Sequence, residues 1–241
     1  MISIIIPTFN EEAIIESTLS RLKAGLTISH EIIVSDGDSK DKTAEIAKKY
    51  ADHVIVYNGT ERQNISQGRN AGAAITKGEF LVFLDADCTI FDPDAFFSSA
   101  LSHFQKNQKL VGLVVYVRVL PEYETLADKI VSSIVNSSVR FQNNFLHKGD
   151  APGGELQMVR KEAFLKIGGY NEGLITREDR DLFFRLSKIG ETLSDPKLFV
   201  FHTGRRAHKV GWPRLIGLFL WNTLFFHIFG RVYSKEWKPI R

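Results

Sequence analysis

The sequence is poor in cysteine. Cys88 is the single thiol in 241 residues, which excludes an internal disulfide and any zinc site built on cysteines. No dense lysine or arginine tract precedes the C-terminal region, and the formal net charge is only +3. A nucleic-acid partner is therefore not expected. The opening run MISIIIPTFNEE carries neither a basic leader nor a long apolar stretch; it reads as a first strand rather than a signal peptide. Its turn, Pro7-Thr8-Phe9-Asn10, is not G-x-G-x-x-G or G-x-x-x-x-G-K-[ST]. Those two absences exclude dinucleotide-dependent dehydrogenases and P-loop enzymes. A pyrophosphorylase acting on sugar nucleotides would carry a glycine-rich basic loop at the same place, and that is missing too.

What is present is alternation. Short apolar runs at Ile2 to Ile6, Glu31 to Ser35, His53 to Tyr57 and Phe80 to Leu84 are separated by helical patterns. Asn10 is placed to cap the first helix and Ser39 the second, with Pro93 opening a later one. A long β-rich run follows at Leu110 to Leu120, then a helical pattern at Thr125 to Phe145, a Gly/Pro loop at Gly149 to Glu155, and strand-like Glu155 to Val159 and Leu198 to His202. Strands alternating with helices predict an α/β fold, a mainly parallel sheet with helices on both faces.

The fourth apolar run ends in Asp85-Ala86-Asp87. Residues i and i+2 of an extended chain share a face, so both carboxylates are expected at the C-terminal edge of the sheet, where open α/β sheets bind ligands. Two acids there can hold a hard divalent cation such as Mn²⁺ or Mg²⁺. The bland alternative is a pair of solvated loop acids, because D-x-D by itself is a weak signal.

The neighbouring segments strengthen it. PTFNEE, VSDGDSKDKT, GRNAGA and FLDAD, followed by GGE, KEAFLKIGGYNEG and REDRDLFFRLSKIG, resemble family 2 glycosyltransferases with the GT-A Rossmann-like fold. The resemblance covers residues 1–204, with a donor half at 1–120 and an acceptor half at 121–204. It implies a nucleotide-sugar donor, UDP- or GDP-linked, and an inverting transfer. Pro7, Thr8, Asn10 and Glu12 would border the nucleotide. Asp36 would meet the base; the spelling Asp36-Gly37-Asp38 leaves Asp38 as the other choice. Arg69 would lie near the diphosphate, with Asp85, Ala86, Gly154 and Glu155 lining the donor and sugar pocket. Asp87 would be the principal metal ligand, supported by Asp85 and His202. Asp179 would be the general base, with Glu178 beside it. For a hydroxyl acceptor a base is required; for a polyprenyl phosphate it is not, and Asp179 would then position groups instead. The non-enzymatic rival is a membrane-associated nucleotide-sugar-binding protein without turnover, and the acids needed for turnover are all present.

Residues 205–241 differ in character. LIGLFLWNTLFFHIFG, Leu215 to Gly230, is flanked by Arg205, Arg206, Lys209 and Arg214 before it and Arg231, Lys235 and Lys238 after it. It falls short of the roughly 20 residues that span a bilayer. An interfacial amphipathic helix fits, with Trp212, Trp221 and Trp237 at headgroup depth. A buried helix or a contact between copies of the chain is the alternative. Arg205, Arg206 and Lys209 could hold a lipid-linked acceptor's phosphate or simply anchor to anionic lipid. The expected location is cytoplasmic, peripheral at the inner face of the cell membrane.

Overall fold

The computed structural model describes residues 1–229. A seven-stranded sheet is formed by β1 (Ile2–Thr8), β2 (His30–Asp36), β3 (His53–Val56), β4 (Phe80–Leu84), β5 (Leu110–Val119), β6 (Leu156–Arg160) and β7 (Glu191–His202), in the order β3-β2-β1-β4-β6-β5-β7. The helices are α1 (Ile15–Gly25), α2 (Thr43–Ala47), α3 (Ile65–Ala74), α4 (Pro93–Lys106), α5 (Leu126–Asn144), α6 (Lys161–Lys166), α7 (Glu178–Leu186), α8 (Arg205–Val210) and α9 (Trp212–Phe229).

β1 is parallel to β2 and β4, β2 to β3, and β5 to β7, while β6 runs antiparallel between β4 and β5. That reversal matters for the site. The parallel strands end on one edge, and β6 starts on the same edge, with Leu156 opposite Leu84. The loop 153–155 is thereby delivered beside Asp85.

The central strands are apolar at successive positions because both faces are covered. Ile2, Ile4 and Ile6 pack with Ile15, Leu19 and Leu22 of α1 and Phe96, Phe97 and Phe104 of α4. Ile5, one residue out of phase, packs on the opposite face with Ala73 of α3, Phe164 of α6 and Phe183 of α7. Period-two alternation of Cβ direction explains the division.

Three local expectations are corrected. Asn10 does not cap α1: it sits at φ 55°, and the helix starts later, at Ile15. Its side chain accepts from the Lys40 N–H at 2.8 Å instead, tying the turn after β1 to the loop after β2. Ser39 does not cap a helix from Lys40; α2 begins at Thr43, and the Ser39 hydroxyl donates to Asp36. β7 starts at Glu191, well before the expected Leu198, because Thr192 and Ser194 are buried despite their polarity. Its pairing jumps from Asp195 opposite Val115 to Phe199 opposite Tyr116. Pro196, which has no N–H to donate, lies in the excluded segment, as expected for proline at an irregularity of an edge strand.

The C-terminal segment is not one helix. Gly211, at φ 87°, separates α8 from α9. The junction is fixed to α5: the Asp128 carboxylate accepts from His208 Nε2 at 2.8 Å and Trp212 Nε1 at 2.6 Å. Burial alone would raise this acid, but those bonds and the ones from Thr125 bring it down to about 2. Among the described residues no helix is long and apolar enough to cross a membrane. Arg231, Lys235, Trp237 and Lys238 lie outside the described residues.

α3 lies on β1 through Gly72, where an added Cβ would stand 2.4 Å from Ile5 Cγ2. Gly72→Ala is expected to cost about 1–3 kcal/mol by overpacking. Urea unfolding should show it as a lower midpoint with an unchanged slope.

Candidate active site

The edge of the sheet is built around one buried guanidinium. Arg69, on α3, is fully buried. Its Nη2 donates to Asp85 Oδ1 at 2.9 Å and to the Gly154 carbonyl at 3.0 Å, and its Nη1 donates to Glu178 Oε1 at 3.0 Å. The Tyr170 ring lies beneath it, 5.2 Å from Cζ. Burial works against its charge, and Tyr170, Asp85 and Glu178 hold its pKa above the ordinary value nonetheless. An added Cβ at Gly154 would meet Arg69 Nη2 at 2.2 Å, so the loop can approach this closely only with glycine there. The arginine that the resemblance assigns to the diphosphate is thus committed to two carboxylates and a carbonyl. It organises the site from beneath.

A second guanidinium stands at the other side of the acid pair. Arg205, at the start of α8, meets Glu11 with both Nη atoms at 3.1 Å and Asp87 Oδ2 through Nε at 3.2 Å. Arg205, expected at a lipid phosphate, faces protein carboxylates here. Glu11, within the PTFNEE stretch, is a buried member of the site, and its partner Arg205 is 194 residues away. Thr203 Oγ1 approaches Asp87 Oδ2 at 3.4 Å. Lys209 is exposed and Arg206 half-buried.

Asp85 and Asp87 do share the edge, but not through strand alternation. β4 ends at Leu84, and Asp85 to Asp87 form a turn closed by Cys88 N–H to the Asp85 carbonyl at 3.1 Å. Asp85 is thereby left to Arg69 and Asp87 to Arg205. Ala86 is buried, and its carbonyl accepts from Thr18 Oγ1 at 2.6 Å.

The β1 and β2 loops form the flank. Asp36 is buried; Thr8 Oγ1 donates to its Oδ1 at 2.8 Å, and the Ser39 hydroxyl and N–H donate to its two oxygens at 2.6 and 2.8 Å. Pro7 is paired in β1, opposite Ser35. Asp38 sits at φ 67° and pairs with Lys40 at 2.5 Å in an exposed setting. Glu12 is exposed and accepts from the Lys42 N–H at 3.0 Å. Beside this flank a cleft of about 670 Å³ is lined by Asn10, Glu11, Glu12, Tyr123, Arg205 and His208, among others.

The remaining acids are Glu155, Glu178 and Asp179, while His202, at the end of β7, lies with Asp87 and Arg205. Glu178 and Asp179 are buried in the first turn of α7, where acids favour the helix dipole. Burial, then Asp179, pushes Glu178 upward against the pull of Arg69. Asp85 is pushed up to about 6, by burial first and by Asp87 among its neighbours. Glu155 goes further, to about 8, through burial and then Asp85. Its Oε2 is buried with no hydrogen-bond partner. Burial lowers His202, favouring neutral imidazole. The site therefore gathers more carboxylates than its two guanidinium groups can neutralise, and the buried Glu155 Oε2 lacks a donor. That charge balance fits a cation. Among the described residues, no three His, Cys, Asp or Glu side chains are gathered closely enough to hold a metal unaided.

Residues 3–168 match the glycosyl transferase family 2 profile. The chain belongs to that family. The enzyme is a glycosyltransferase. It is 27% identical over 212 residues to an uncharacterized glycosyltransferase of Haemophilus influenzae, covering 86% of this chain and 70% of the relative. It is 26% identical over 221 residues to the succinoglycan biosynthesis protein ExoA of Rhizobium meliloti, covering 87% of this chain and 65% of that one. In architecture it resembles the mannosyltransferase PcManGT of Pyrobaculum calidifontis, solved with GDP-Man and Mn²⁺, at TM-score 0.64 and 18% identity over 84% of this chain and 56% of that chain. It also resembles residues 1–349 of S. aureus TarS, at TM-score 0.62 and 19% identity over 86% and 61% of the two chains. These likenesses bear out the GT-A fold. The chain spans about two thirds of the length of these two relatives and less of the solved structures.

The raised carboxyls set a pH dependence. A carboxyl with a folded pKa above its unfolded value binds more protons when folded, so the stability it contributes is present at low pH and lost as pH rises. For Glu155 the window runs from its ordinary value, 4.5, to about 8. Glu155→Gln should match the wild type in thermal midpoint near pH 4.5 and exceed it increasingly up to pH 8.5, measured without added metal.

Proposed function

We propose that this glycosyltransferase moves a sugar, with inversion, from a UDP- or GDP-linked donor to a membrane-bound acceptor such as a polyprenyl phosphate or a glycolipid. The observation that carries the reading is the meeting, on one sheet edge, of the β1 and β2 loops, the Asp85-Ala86-Asp87 turn and the acids of α7. The first two would border the nucleotide, with Asp36 rather than the exposed Asp38 nearest the base. Thr8 and Ser39 hold its carboxylate in place for a base N–H. A divalent cation, Mn²⁺ or Mg²⁺, fits the acid excess; Asp87 and His202 would hold it, with Asp85 behind, and the donor diphosphate would complete the ligand set. When bound it would offset charge on the departing diphosphate. The solved mannosyltransferase with GDP-Man and Mn²⁺ supports that choice of donor and ion.

This chain's own groups do the rest. Arg69 keeps Asp85 and Glu178 at fixed positions. Gly154 and Glu155 line the sugar pocket. With a hydroxyl acceptor, Asp179 takes the proton as the oxygen attacks the anomeric carbon and the bond to the diphosphate breaks. With a phosphate acceptor the nucleophile is already an anion, and Asp179 positions it. Arg206 and Lys209, at the start of the tail, support an acceptor held at a membrane surface. Arg205 would have to leave Asp87 when a cation arrives, since both claim the same carboxylate.

Thermal unfolding with UDP- and GDP-sugars, with and without Mn²⁺, tests the donor. Ligand at about a hundred times its Kd adds about 2.7 kcal/mol. One nucleotide should shift the midpoint only with metal, and Asp87→Ala should abolish that shift; a retained Mn²⁺-dependent shift would remove Asp87 from the ion. Asp179→Asn should keep donor binding and lose roughly 10²–10⁴-fold in turnover on a hydroxyl acceptor. Unchanged turnover would end its role as base.

A further inference from the structure

α5 buries three polar residues alongside one apolar residue, Val139. The polar residues Asp128, Asn136 and Asn143 face inward and are buried. Each is satisfied there: Asp128 by Thr125, His208 and Trp212, Asn136 by the Val117 backbone in both directions, and Asn143 by the carbonyls of Val139 and Asp150. Leu126, Ile130, Ile134, Phe141 and Phe145 face outward, and each is more than half exposed. Their spacing of four, four, seven and four residues keeps them on one stripe of the helix. The Phe141 and Phe145 rings stack at 5.8 Å. A helix of 19 residues is about 28 Å long, so this is an extended apolar surface on a protein whose inward contacts are already complete. Patches of this kind mark interaction sites.

The charges around the stripe select the occupant. From Leu126 to Lys148 the exposed charged side chains are Lys129, Arg140 and Lys148, all basic, while the one acid, Asp128, is buried; just before the stripe, Glu124 pairs with Lys129 at 3.5 Å. A second copy pressed face to face would oppose these bases to one another. A surface of anionic lipid would pair with Arg140 and Lys148, and with Lys129 in competition with Glu124, while the stripe enters the acyl boundary. Since no described helix can cross a bilayer, α5 would lie along it. The face is also joined to the tail, because Asp128, two residues from Leu126, clamps the α8–α9 junction through His208 and Trp212.

We propose that the outward face of α5 is a docking surface for an anionic lipid bilayer. It draws on the reading of a membrane-bound acceptor for its purpose, but not for its physics, because none of its residues belongs to the donor site. The test is co-sedimentation of the full chain with vesicles of phosphatidylcholine alone or with phosphatidylglycerol added. The wild type should partition onto the anionic vesicles, and more weakly as salt rises. The triple variant Ile130→Ser, Ile134→Ser, Phe141→Ser should lose at least ten-fold in partitioning with no fall in thermal midpoint. Lys129→Gln, Arg140→Gln, Lys148→Gln together should abolish the preference for phosphatidylglycerol. No vesicle binding by the wild type, or undiminished binding by the apolar variant, overturns the proposal. So does a wild-type dimer in sedimentation velocity that the apolar variant turns into a monomer while vesicle binding stays unchanged. Donor binding is scored separately by thermal shift, so a failed donor reading leaves the vesicle result intact.

Discussion

A fully buried arginine sets the terms for everything at this sheet edge. Taking the Arg69 guanidinium out of water is unfavourable by several kcal/mol unless anions and hydrogen-bond acceptors replace the water. Asp85, Glu178 and the Gly154 carbonyl do so, and each comes from a different part of the chain. The pairing therefore ties α3, the end of β4, the loop before β6 and the start of α7 into one unit. Arg69 keeps its charge because those partners are anionic or polar; they keep their places because it is charged. Remove the guanidinium and the Asp85 and Glu178 carboxyls are left without that counter-ion.

From that constraint the division of the acids follows. With Asp85 committed to Arg69, Asp87 is left to Arg205 and Thr203 on the opposite flank. Arg205 reaches it from the first turn of α8 and also grips Glu11. So the base of the C-terminal segment is attached to the carboxylate that a cation would claim, and the Asp128 clamp attaches the same segment to α5. The acid cluster at the sheet edge, the start of the C-terminal segment and α5 are connected through short chains of ionic and hydrogen-bonded contacts. The surplus of carboxylates is expressed in the raised Asp85 and Glu155.

Much of this was legible in the residues. The positions of β1, β2 and β4 came from short apolar runs, because a strand buried on both faces is mostly apolar, and β3, at the exposed edge, came from its run of β-branched residues. Pro93 opened α4 as its missing N–H allows, with Asp92 as the cap. Local rules failed where a distant partner competed for the same group. Asn10 and Ser39 are good helix caps in isolation, but Asn10 accepts from the Lys40 N–H and Ser39 accepts from the Asn10 N–H, bonds that join the β1 and β2 loops. The strand at 191–195 was hidden by Thr192 and Ser194, polar residues that the neighbouring strand and α5 nevertheless bury. The extended-chain argument for Asp85 and Asp87 reached the right edge of the sheet by the wrong route, since the two acids belong to a turn.

The sequence by itself determined the alternation of strands and helices, the family, and which residue types stand at the strand ends. Those depend on periodicity and on short motifs, and both are written in consecutive residues. Only the tertiary structure decided which charge faces which. It buried Arg69 between carboxylates, set Arg205 against Glu11 and Asp87, and turned three polar side chains of α5 inward. Charge pairing depends on distances between residues as much as 194 positions apart, and burial decides how strongly each pair interacts. Neither quantity exists until the chain has folded.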